Sequence, residues 1–156
     1  LQEGLGVVSE FLVGGLDGGR LRQLAGRVMA AQSIIEGADF VETFALICGE
    51  WGFGPSSAFD TTMRIFRGGG FIKDVVYLRG LAQLLEYLGA GGSLERLYLG
   101  KIAHDHLHLI EELEWRSVLE APRLLPRHLE RPDVVERLER SRRGLSVLDL
   151  VEEAAA

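Results

Sequence analysis

The sequence predicts an all-α fold, a compact bundle of about seven or eight helices. Three observations carry that expectation. Apolar residues recur at three- and four-residue intervals along most of the chain. No sustained two-residue alternation bounded by turn residues appears, which leaves strands at most a peripheral place. The 20 glycines fall mainly at the ends of the periodic runs, where a left-handed residue stops a helix.

Taken in order, the first helix carries Leu5, Val8, Leu12 and Val13 on one face and ends at Gly14-Gly15. Leu21, Leu24, Ala25, Val28 and Met29 define the second, with Arg20, Arg22, Gln23 and Arg27 between them. Phe40, Phe44 and Ile47 continue the rule. Pro55-Ser56-Ser57 marks another start, since proline loses nothing at a first helical position. Val75, Leu78, Leu81, Ala82, Leu85 and Leu88 predict a long helix closed by Gly89 and Gly91-Gly92. Ser93-Leu94-Glu95 opens a further one, and Leu107, Ile110, Leu113 and Val118 line the next. Between Pro122 and Pro132 the chain cannot be regular helix, so an extended strap is expected there. Pro132-Asp133 then starts a helix bearing Val134, Val135 and Leu138, with Leu145 further on. Residues 1–153 read as one helical domain, and Ala154-Ala155-Ala156 as native helix or a tag-proximal remnant.

Composition narrows the function classes. With 156 residues, 47% apolar and 26% charged, the chain can bury a sizeable core and is neither disordered nor fibrous. Its apolar runs are too short and too interrupted by charge to cross a bilayer. A net charge of −6 argues against nucleic acid as partner, because phosphate neutralisation needs surplus Lys and Arg. Cys48 is the single cysteine, so no internal disulfide forms, and a cytoplasmic location is expected. Leu1 starts mid-pattern, and the chain is expected to be a piece truncated before Leu1.

Three constellations can carry chemistry. Glu3 sits at a helix start between Gln2 and Gly4, with Gly6 beyond. There a carboxylate can ligate zinc beside two histidines, or simply favour the helix dipole from solvent. Around Gly68-Gly69-Gly70 lie Arg64, Arg67, Lys73, Tyr77 and Arg79, with Lys73 and Tyr77 four apart on one helix face. Guanidinium groups and glycine-loop amides there can hold an anion; an ordinary charged turn is the plainer alternative. His104-Asp105-His106-Leu107-His108 contains an i, i+4 histidine pair, but lacks the glutamate of HExxH and a third ligand.

Gln2-Glu3-Gly4-Leu5, Phe40-Val41-Glu42-Thr43-Phe44, Arg67-Gly68-Gly69-Gly70, Lys73-Asp74-Val75-Val76-Tyr77-Leu78-Arg79-Gly80 and Gly144-Leu145-Ser146-Val147-Leu148-Asp149 together resemble the bacterial QEGLA-motif proteins. These carry the label of flavohaemoglobin expression modulators and are similar to eukaryotic tubulin tyrosine carboxypeptidases. Gly6 departs from the motif's alanine. The resemblance implies the C-terminal part of a zincin-like zinc carboxypeptidase, with Glu3 as metal ligand and a peptide or protein C-terminus as substrate. It implies two zinc-binding histidines and a general base on an upstream HExxxH helix, a motif that does not occur within residues 1–156. The chain is therefore expected to be inactive and zinc-free by itself, with zinc in the parent protein. Arg64, Arg67, Lys73, Tyr77 and Arg79 are the candidates for gripping the substrate carboxylate, with Tyr77 also a candidate oxyanion stabiliser. A homodimer through the cut edge is expected. The alternative function is a non-catalytic helical module that binds a partner or affects expression.

Overall fold

A computed structural model describes residues 1–68 and 71–154, with the side chains of 71–72 and 151–154 left aside. Eight α-helices appear among the described residues and no strand: α1 Gln2–Leu12, α2 Gly18–Ile35, α3 Phe40–Ala45, α4 Pro55–Phe66, α5 Phe71–Gly89, α6 Leu107–Trp115, α7 Pro132–Ser141 and α8 Val147–Ala154. A π-helical turn, Leu46–Glu50, continues α3, and short 3₁₀ turns cover Glu95–Tyr98, His104–His106 and Arg127–Glu130. None of these helices is long and apolar enough to cross a membrane. Gly69 and Gly70, and with them the predicted glycine-loop amides, lie outside the described residues, as do Ala155 and Ala156.

The chain divides into two compact units, one of residues 18–78 and one of residues 1–17 with 79–156. In the first, Ala30 and Ala31 of α2, Ala58 and Ile65 of α4 and Ile47 of the π turn are buried together. Ile34, Phe44, Cys48, Trp51, Phe53 and Val75 pack against that cluster. Cys48 is half-buried, less enclosed than an apolar helical stretch predicts, because the π turn places it at the cluster's edge. Small residues at 30, 31 and 58 let the helices approach closely. A capping box starts α3: Asp39 Oδ1 accepts from the Glu42 amide at 2.9 Å and Glu42 Oε2 accepts from the Asp39 amide at 2.9 Å.

In the second unit α1 buries Leu5, Val7, Val8, Phe11 and Leu12. Each such side chain contributes about 1.5–3 kcal/mol by leaving water. Val13 is exposed, since it lies past the helix end, where Arg137 Nη1 from α7 donates to the Leu12 carbonyl at 2.9 Å. Of the long helix, Leu81, Leu84, Leu85 and Leu88 are buried and Ala82 is exposed, so the apolar stripe runs through Leu84 rather than Ala82. The α1–α5 contact rests on glycine: a Cβ on Gly4 would fall 2.3 Å from the carbonyl carbon of Gly80. At Gly6 the same atom would meet nothing within 4 Å, so of the two only Gly4 permits a close approach.

Two segments differ from the sequence expectation, and the first is Ser93-Leu94-Glu95, which opens only the 3₁₀ turn Glu95–Tyr98 and no α-helix. In the second, Val118 continues no helix, because α6 stops at Trp115. Ser117 takes φ 57°, its amide donates to Glu114 O at 2.8 Å, and the Val118 amide donates to Leu113 O at 2.9 Å. That is a left-handed helix stop built on serine, and the glycine that announces such a stop elsewhere is missing. Trp115 and Val118 are consequently left on the surface. The segment between Pro122 and Pro132 is irregular as expected, apart from the 3₁₀ turn at Arg127–Glu130.

Candidate functional site

The unit of residues 18–78 contains a cavity of about 720 Å³ between α2 and α4. Arg27 enters from α2; Arg64 comes from the last turn of α4 and Arg67 from the residue after it. Ser56, Ser57 and Asp60 line it from the start of α4. That helix begins at Gly54 and Pro55 with no side-chain cap, so its first amides add partial positive charge to the wall. Three guanidinium groups against one lining carboxylate make the cavity cationic. Guanidinium groups so placed are able to hold a planar anion in bidentate fashion.

Behind these arginines lies Asp74, in the first turn of α5 and fully buried. Its Oδ1 accepts from Arg64 Nε at 2.7 Å and stands 3.6 Å from Arg27 Nη1. Burial, and after it the neighbouring charge of Arg64, lowers the pKa of the Arg27 guanidinium, while Asp74 acts in the opposite sense. The group still carries its charge at neutral pH, as arginine does in proteins. Lys73 Nζ lies 6.0 Å from the centroid of the Tyr77 ring, one turn apart on α5 as their spacing predicts.

The six predicted site residues are thus distributed unevenly. Arg64, Arg67, Lys73 and Tyr77 share the unit of residues 18–78, and the first two line the cavity. Lys73 and Tyr77 are not among its described lining residues. Glu3, half-buried in the first turn of α1, and Arg79, exposed on α5, belong to the other unit. Arg27 is the residue that sequence reasoning missed. On α2 it reads as one more polar position between core residues, and only the fold brings it to Asp74 beside Arg64.

Among the described residues no three His, Cys, Asp or Glu side chains are grouped so as to hold a metal ion. A zinc site with protein ligands requires at least three, so these residues do not by themselves fit the ion, and Glu3 is a single donor. His104 and His108 instead line a second cavity, of about 540 Å³, with Glu86, Tyr87, Asp105 and Glu111.

An all-helical chain with an arginine-lined cavity is equipped to grip an anionic group. The profile of the microtubule-associated tyrosine carboxypeptidases (MATCAP) matches residues 1–145, and the chain belongs to that family. Comparison with curated proteins and with solved structures gave no match.

Proposed function

We propose that this chain is the helical, substrate-gripping part of a zinc-dependent carboxypeptidase-like hydrolase, and that within its family it stands with the bacterial QEGLA-motif proteins. The observation that carries the reading is the cavity formed by Arg27, Arg64 and Arg67, whose charge and donor geometry suit the terminal carboxylate of a peptide. Arg67 and Arg64 hold that carboxylate, and the first-turn amides of α4 add to the field. Tyr77, on α5 beside Lys73, is the candidate donor to a developing oxyanion. Lys73 beside it is the remaining substrate contact of the unit of residues 18–78 in this reading. Glu3 is one carboxylate ligand of a zinc ion whose other ligands and general base lie outside residues 1–156, so the chain by itself is inactive.

The test is the release of C-terminal residues from peptides by a protein extended upstream of Leu1, read together with its zinc content. The expected result is one zinc per chain, lost or much weakened in Glu3→Gln, with turnover falling alongside. Zinc content and turnover indifferent to Glu3→Gln would overturn the assignment of Glu3, and no turnover on any peptide would favour a partner-binding module.

A further inference from the structure

Asp74 is an unusual residue to place behind a cationic cavity. It is fully buried, and while Oδ1 takes Arg64 and faces Arg27, Oδ2 is enclosed with no hydrogen-bond partner. A carboxylate withdrawn from water with one oxygen left unpaired is costly, and a buried ion pair seldom stabilises more than a well-packed apolar substitute would. Stability alone therefore gives a poor reason for an acid here.

Its contacts supply a better one. Arg27 stands on α2 and Arg64 on α4, and both are long side chains with many rotamers. One carboxylate oxygen meets both, and the bond from Arg64 uses Nε, which leaves the two Nη groups of that guanidinium for a ligand. We propose that Asp74 is a positioning residue that ties Arg27 and Arg64 to one point, so that their remaining N–H groups address a single carboxylate in the cavity. The inference rests on the proposed role of that cavity. Charge supports a monoanion as the occupant: Arg27, Arg64 and Arg67 carry three positive charges, Asp74 and Asp60 two negative, and three less two leaves one.

The two effects of removing Asp74 have opposite signs, which makes a clean experiment. Simple electrostatics says that neutralising a nearby acid strengthens anion binding. Loss of positioning weakens it. The probes are N-acetyl-glycyl-tyrosine and its C-terminal amide, titrated onto the chain and onto Asp74→Asn by NMR, with circular dichroism as a check on folding. Expected are tighter binding of the acid than the amide by the wild-type chain, and a loss of about ten-fold for the acid alone in Asp74→Asn, the size of one charge-assisted hydrogen bond. The loss should vanish when Asp74→Asn is made in an Arg27→Gln, Arg64→Gln background. Equal or tighter acid binding by Asp74→Asn would overturn the positioning role while leaving the cavity reading intact. No acid-over-amide preference in the wild-type chain would overturn both. If Asp74→Asn does not fold, Asp74→Glu keeps the charge but displaces it by a methylene, and wild-type affinity in that variant would equally overturn the role.

Discussion

Replacing Gly4 by alanine should destabilise the protein, although alanine is the better helix former. The added Cβ would lie 2.3 Å from the Gly80 carbonyl carbon and 2.5 Å from its oxygen, and both are backbone atoms that cannot rotate away. Carbon atoms rest at about 3.5 Å or more, so α1 or α5 must move by about 1.2 Å. That shift would loosen Leu5, Val8 and Leu12, which are now buried. Overpacking of this kind costs about 3 kcal/mol or more, and the helix-propensity gain returns about 1 kcal/mol. The net loss is about 2 kcal/mol, or a fall in Tm of about 4–8 °C for a chain of this length. Gly6→Ala is the matched control two residues along the same helix: with open space around it, only the propensity gain of about 1 kcal/mol remains. Thermal melts followed by circular dichroism read both variants. A Gly4→Ala protein as stable as Gly6→Ala would refute the close packing of α1 on α5.

Ser117→Gly should raise stability by about 1 kcal/mol, because serine now occupies a left-handed conformation that costs a residue with a Cβ; an unchanged denaturant midpoint would refute the strain. Asp39→Ala should remove about 1 kcal/mol by breaking the α3 capping box, with Glu42→Ala giving a smaller loss in the same urea titration. Asp133 is held below its ordinary pKa of 3.8 first by its hydrogen bond to Arg131 and then by Arg137. A carboxylate with a depressed folded pKa stabilises above its unfolded value and loses that contribution as pH falls through the folded one. The urea midpoint should therefore drop below about pH 4, and less steeply in Asp133→Asn. Parallel pH curves for the two proteins would show that the Arg131 contact adds nothing.

The helical class and most element boundaries were legible because both are local properties. A three-to-four-residue apolar rhythm decides that α2, α5 and α7 are helices wherever they end up. Pro55, Pro132, Gly14 and Gly91 mark the ends for reasons contained in a few neighbouring residues. The end of α6 was not legible, since serine at Ser117 carries none of glycine's signal. The chemical residue types of the site were also visible: Arg64 and Arg67 flank a glycine run, and both do line the cavity. Charge density along a segment is local in the same way.

What the sequence determined by itself is a helical chain with a QEGL segment, a Lys-Asp-x-x-Tyr-Leu-Arg-Gly segment and a basic turn between α4 and α5. Only the tertiary structure decided that the glycines of those two segments touch backbone to backbone. Only it decided that Arg27 leaves the anonymity of a helix face to share Asp74 with Arg64, and that Gly6 faces open space while Gly4 does not. The physical reason is that periodicity and capping act within a few residues. Which faces meet depends on how whole helices exclude water together, and residues far apart in sequence become neighbours only once that packing exists.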